Sequence, residues 1–161
     1  VNATATPRTI LLDTNTVLHL ARNQKVGQWL VGHYALLGSP TRCLTCRVVH
    51  GEMRSFLTRA KAKGQPWSER KAGNMLAMLD QMPTVELDDP GVLNAYADLV
   101  AYTEVICKPA RPMGKNDLWI AAAAKVTKAT LLTGDGDFDH LHNTQITVEK
   151  YDSQAIMKGA P

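Results

Sequence analysis

Two short apolar runs in this chain stop abruptly at carboxylates. Thr9-Ile10-Leu11-Leu12 ends at Asp13, and Thr130-Leu131-Leu132 ends at Thr133-Gly134-Asp135. Runs this short, with no polar alternation, read as strands buried on both faces. Cys43-Leu44-Thr45, Thr84-Val85-Glu86-Leu87 and Ile146-Thr147-Val148-Glu149 read as three more. Longer stretches between them carry apolar residues at three- and four-residue spacing, which predicts helices. One is expected over about 17–21, capped by Thr14-Asn15-Thr16, and another runs through Val26, Trp29, Leu30 and Tyr34 until Gly38-Ser39-Pro40 breaks it. Others span Val48 to Ala60, 67–82, and 91–106 behind the cap Asp88-Asp89-Pro90. An alanine-rich helix opens at Asn116-Asp117. Strands that alternate with helices cannot be joined as hairpins. The sheet is therefore expected to be mainly parallel and covered on both faces, in an α/β fold.

The 161 residues suit one domain with a sizeable core. The expected division is a loose leader over 1–8, the domain over 9–150 and a tail over 151–161. There is no transmembrane run or signal-peptide pattern, so a cytoplasmic protein without a membrane partner is the expectation. Cys43, Cys46 and Cys107 are too few for a disulfide scaffold. A net charge of +3 is compatible with a polyanionic partner without demanding one.

Open parallel sheets place their sites beyond the carboxyl ends of the strands, where Asp13 and Asp135 fall. Asp117 sits in the opening turn of a helix, and Glu52 shares a helical sector with Val48, Val49 and Phe56. Each acid also has a plainer explanation. Asp13 or Asp117 could cap a helix, Glu52 could pair with Arg47, Arg54 or His50, and Asp137 and Asp139 could be a solvated loop. Taken together, acids at the ends of several elements repel one another unless a cation sits among them. Hard oxygen ligands favour Mg²⁺ or Mn²⁺, and such ions take phosphate oxygens as further ligands. Lys108, Arg111, Lys115 and Arg54 could contact phosphates or form a solvated basic face.

Leu11-Leu12-Asp13-Thr14-Asn15, Gly51-Glu52-Met53-Arg54, Asn116-Asp117-Leu118-Trp119-Ile120 and Leu131-Leu132-Thr133-Gly134-Asp135-Gly136-Asp137-Phe138 occur in that order over residues 9–150. In this set the chain resembles the PIN-domain ribonucleases, and within them the VapC-like toxins of toxin–antitoxin pairs. The resemblance implies a three-layer α/β/α domain with about five strands. It implies a metal site of Asp13, Glu52, Asp117 and Asp135, with Asp137 as a variable extra acid and Asn116 and Thr133 in support. It further implies Mg²⁺- or Mn²⁺-dependent endonucleolytic hydrolysis of RNA to 5′-phosphate and 3′-hydroxyl ends. The partners it implies are a second copy of the chain and a small antitoxin whose tail occupies the acidic groove. The paired glycines, Gly134 and Gly136, suggest a flexible final loop.

Two other readings compete. Asp13 after a strand also resembles the nucleophile of haloacid-dehalogenase-type phosphatases, although Asn15 stands where that chemistry wants a proton-donating acid. Alternatively, the domain could bind RNA without cutting it. The Cys43-x-x-Cys46 spacing is expected to be two buried thiols, and His140 and His142 are expected to be surface or turn residues rather than ligands.

Overall fold

The computed structural model describes residues 8–38 and 40–159. In chain order it contains β1 (Arg8–Leu12), α1 (Thr14–Arg22), α2 (Lys25–Tyr34), β2 (Thr41–Cys46), α3 (Arg47–Ala62) and α4 (Glu69–Gln81). These are followed by β3 (Thr84–Val85), α5 (Pro90–Ala101), α6 (Lys115–Thr127), β4 (Thr130–Thr133), β5 (Thr147–Lys150) and α7 (Ser153–Lys158). The five strands form one sheet in the order β3-β2-β1-β4-β5, and every pairing is parallel.

Central β1 explains the burial. Leu11 pairs with Leu44 on one side and Leu131 on the other. Successive residues of a strand point to opposite faces. Ile10, Leu11 and Leu12 are all fully buried, as are Leu131 and Leu132, so both faces of the sheet are covered. The chain builds from β1 through β2 to β3 in one direction, then crosses to the other side of β1 for β4 and β5. Right-handed crossovers in opposite directions put α1–α4 on one face and α5 and α6 on the other. The packing agrees: α1 lies against α2, α3 and α4, α7 lies against α2, and α5 runs along α6. The result is the expected three-layer α/β/α sandwich. The reversal of strand order opens a crevice at the carboxyl ends of β1 and β4.

Several boundaries differ from the sequence expectation. Helix α1 starts at Thr14 rather than near Val17, because Asp13 itself is the N-cap and accepts from Thr16 N–H at 2.6 Å. Helix α2 stops at Tyr34, where Ala35 turns left-handed (φ 50°), before the expected breaker at 38–40, of which Ser39 lies outside the described residues. The helix expected over 91–106 changes pitch after Ala101. Residues Tyr102–Ile106 form a π-helical turn, closed by Cys107 N–H donating to Tyr102 O at 2.7 Å. Strand β3 is only two residues long, an edge strand whose next side chain, Glu86, turns away to pair with Arg47.

The leader expected over 1–8 lies outside the described residues except for Arg8, which begins β1. Of the segment expected to be a tail, residues 151–159 are described, and its start is packed. Tyr151 is 3 % exposed, and its N–H donates to Thr133 O at 3.0 Å. Asp152 then caps α7 through the N–H groups of Gln154 and Ala155. A single helical turn offers too short a pattern to be seen in the sequence.

Leu131→Ala removes a fully buried side chain from the middle of the sheet. It is expected to lower stability by roughly 2–5 kcal/mol in a denaturant melt. Leu93→Ala, at a site 46 % exposed, is expected to stay within about 0.5 kcal/mol of the parent. Equal losses in the two variants would contradict the assignment of the core.

Candidate active site

Four elements deliver one acid each to a single cleft. Asp13 follows β1, Glu52 lies in the second turn of α3, Asp117 in the first turn of α6, and Asp135 follows β4. All four line the same small cleft with Thr14, Asn15, Ile120 and Phe138. Its volume of about 140 Å³ has room for an ion and a few waters. It falls below the roughly 300 Å³ at which small-molecule pockets begin. A polymeric substrate would therefore lie across the mouth.

Hydrogen bonds fix the deeper two acids. Asp13 is 3 % exposed. Its Oδ1 takes the Thr16 N–H, and its Oδ2 accepts from Thr133 Oγ1 at 2.5 Å. The capping explanation for Asp13 and its place in the cleft are thus both true, one oxygen serving each. Glu52 accepts from Asn116 Nδ2 at 2.8 Å and from the Thr14 hydroxyl. None of the ion pairs considered for Glu52 forms. Arg47 pairs with Glu86, Arg54 lies 3.8 Å from Asp80, and His50 bonds Thr84 at 3.1 Å and faces Asp80.

The other two acids are freer. Asp117 accepts no side-chain capping bond; the N-cap of α6 is Gly114, and a Cβ there would stand 2.8 Å from Asp117 Oδ2. Gly114 leaves the space that this carboxylate occupies. The Asp135 N–H donates to Thr133 Oγ1 at 2.9 Å, so Thr133 links Asp135 to Asp13. Asp135 Oδ1 accepts from Asp137 N–H at 3.0 Å.

The remaining expected residues divide. Asn116 donates to Glu52, and Thr133 donates to Asp13 and receives the Asp135 amide. Asp137 is exposed and does not line the cleft. Asp139 is tied to Lys150 Nζ at 2.7 Å. Lys108 and Arg111 are exposed on the connection that leads into α6, and Lys115, also exposed, is the first residue of that helix, two residues short of Asp117. Arg54 is two residues from Glu52 on α3, which turns it to another face of the helix. Cys43 and Cys46 are buried free thiols, with burial pushing Cys46 up to about 11, so it stays protonated. His142 Nδ1 accepts from Val148 N–H at 2.9 Å, and the residue pairs with Ile146 in an isolated β-bridge. Sequence reasoning treated Thr14 and Thr16 only as parts of a helix cap; their hydroxyl bonds to Glu52 and to Leu132 O span 38 and 116 positions.

The electrostatics follow from crowding. Burial raises Asp13 above the usual carboxylate range, against the pull of its hydrogen bonds from Thr133 and Thr16. Asp117 is pushed up to about 6, first by burial and then by the charges of Asp135, Glu52, Asp137 and Asp13. Among the described residues, no three Asp, Glu, His or Cys side chains converge tightly enough to cage a metal ion. A cage is not what Mg²⁺ requires, since it keeps several waters and needs only one or two carboxylates beside substrate phosphates. An all-oxygen, mutually repelling donor set around a small cleft fits a hard divalent cation.

A raised carboxyl pKa costs the folded state once the unfolded chain ionises and the folded one does not. For Asp117 that cost is absent below pH 3.8, grows between 3.8 and about 6, and is complete above 6. Asp117→Asn is therefore expected to stabilise the metal-free protein by about 1 kcal/mol at pH 7.5, after solvent screening of a half-buried group. The gain should vanish near pH 4. Melts at the two pH values check this, and a pH-independent difference would contradict it.

Residues 10–143 match the sequence profile of the PIN domain. No curated protein sequence matches the chain. Among solved structures, the chain is similar to VapBC2 from Rickettsia felis bound to a DNA fragment from its promoter. That likeness has a TM-score of 0.71 and 19% identity, covering 89% of this chain and 99% of that one. VapBC-1 from nontypeable Haemophilus influenzae gives 0.67 and 20%, covering 88% and 97%. VapBC-5 from Mycobacterium tuberculosis, a member of the VapBC family of toxin–antitoxin systems, gives 0.60 and 23%, covering 90% and 100%. At these identities the structural likeness speaks to the fold. The profile match covers most of the chain and includes all four carboxylates of the cleft, and the chain belongs to the PIN domain family.

Proposed function

We propose that this protein is a divalent-metal-dependent endoribonuclease, and that it acts as the VapC-like toxin of a toxin–antitoxin pair. The observation that carries the nuclease reading is the convergence of Asp13, Glu52, Asp117 and Asp135, from four separate elements, on one cleft. A crowded cluster of like charges lowers stability, and a bound cation offsets that cost. The toxin reading is supported by similarity to the VapBC complexes, at identities that make it a proposal for this chain. A small cognate antitoxin, a homodimeric state and a cytoplasmic location belong to the same reading. Among the described residues, no helix is long and apolar enough to cross a membrane.

The residues take the following roles. Asp13, Glu52, Asp117 and Asp135 would hold Mg²⁺ or Mn²⁺. When bound, such an ion lowers the pKa of a water and neutralises charge on the phosphate. Thr133 and Thr16 fix Asp13, and Thr14 and Asn116 fix Glu52, so both acids present constant oxygen positions. Asp117 or Asp135, the less restrained acids, accepts a hydrogen bond from the attacking water and orients it toward phosphorus. Lys108 and Arg111 lie on the loop into α6 and Lys115 begins that helix, and the three would attract the RNA backbone to the cleft mouth. The PIN match argues against a phosphatase that uses Asp13 as nucleophile. That chemistry wants a proton-donating acid two residues on, where this chain has Asn15, and it gives Glu52 and Asp117 no task.

Incubation of the purified protein with a pool of structured RNAs tests this. Cuts with 5′-phosphate and 3′-hydroxyl ends are expected with Mg²⁺ or Mn²⁺. They should be lost with EDTA and fall below detection in Asp117→Asn and Asp13→Asn proteins that remain folded. Cleavage that persists in EDTA, or that leaves cyclic phosphate ends, would overturn the mechanism. Metal binding without any cleavage of cellular RNA would favour a non-cutting RNA-binding module.

A further inference from the structure

Tyr151 lies just past β5, beyond the acidic residues and beyond the matched profile. Its backbone N–H bond to Thr133 O extends the ladder between β4 and β5, so the side chain is fixed relative to the strand that leads to Asp135. The ring lies against Gly134. A Cβ at that glycine would meet ring atoms Cε2 and Cζ at 3.1 and 3.2 Å, closer than side chains ordinarily approach. Gly134 is not in the left-handed region, so the glycine is there for space rather than for an unusual backbone angle. The loop expected to be flexible is thus pressed against an aromatic plate.

The hydroxyl reaches the other strand end. Thr16 has one hydroxyl proton, and it is donated to Leu132 O at 2.9 Å. The 3.2 Å contact between Tyr151 Oη and Thr16 Oγ1 therefore has Tyr151 as donor. The Thr16 N–H, in turn, is the cap donor to Asp13 Oδ1. One side chain touches both the glycine that precedes Asp135 and the threonine that holds Asp13.

We propose that Tyr151 is a positioning residue that sets where Asp13 and Asp135 stand relative to each other. What the two acids hold rests on the nuclease reading; the packing that places them does not. The alternative is an ordinary core tyrosine whose loss lowers stability everywhere alike.

The test uses the full chain and two readouts, amide hydrogen exchange at residues 133–137 and titration with Mn²⁺. In Tyr151→Leu and in Gly134→Ala, exchange at Asp135 and Asp137 is expected to quicken selectively. Mn²⁺ should bind about tenfold more weakly, as for loss of other groups that orient ligands. Tyr151→Phe keeps the ring and should keep protection at Asp135. Tyr151→Leu combined with Gly134→Ala should lose less than the two single changes together, because the added methyl enters space the ring has left. Unchanged exchange at Asp135 with unchanged Mn²⁺ affinity, or fully independent effects in the double variant, would overturn the proposal. If Tyr151→Leu fails to fold, Gly134→Ala decides alone. A parent protein that binds no Mn²⁺ would overturn the metal site, and the exchange results would still decide the role of Tyr151.

Discussion

Asp13 is the constraint on which the rest of the site depends. It is a carboxylate at the end of the central strand, almost fully buried, in a crevice it shares with three other acids. A buried carboxylate is tolerated only with hydrogen bonds, and those to charged groups contribute roughly 1.5–3 kcal/mol each. Asp13 has two, from the backbone of α1 and from the hydroxyl that ends β4. The same two bonds start a helix and tie neighbouring strands. The local fold and the candidate site therefore use the same atoms.

From that point the arrangement extends outward by polar links between distant segments. Thr133 also receives the Asp135 amide, which places the loop after β4. Glu52 is held by Thr14 from one helix and Asn116 from another, which joins α1, α3 and α6 above the cleft. Asp117 is left with few restraints and a proton affinity raised first by burial and then by the charges of its neighbours. Asp13 and Glu52 are held by side-chain bonds, Asp135 is held through its loop, and Asp117 is the least restrained of the four. The stability lost to crowded charge is what a bound cation would return.

Much of this was legible in the sequence because it depends on local pattern. Short apolar runs ending in Asp13 and Asp135 announced the parallel sheet and the end of it where the acids meet. Asn116 and Thr133 stand near Asp117 and Asp135 in the chain, but the carboxylates they bond are those of Glu52 and Asp13. What was illegible depends on contacts between distant residues. Glu52 has three basic neighbours in sequence and pairs with none, because helix geometry points it toward Thr14 and Asn116. Arg54, two positions on, faces elsewhere and meets Asp80. Gly134 reads as flexibility in one dimension and is a close contact in three. Tyr151 looked like the start of a tail because a one-turn helix carries no periodicity to read.

The central claim is that the four carboxylates hold one divalent-cation site between them. The most direct measurement is anomalous diffraction from crystals grown with Mn²⁺. The account predicts a peak in the cleft bounded by Asp13, Glu52, Asp117 and Asp135, and its absence in crystals of Asp117→Asn. A cleft with no peak at saturating Mn²⁺, or a peak only elsewhere on the surface, would contradict it.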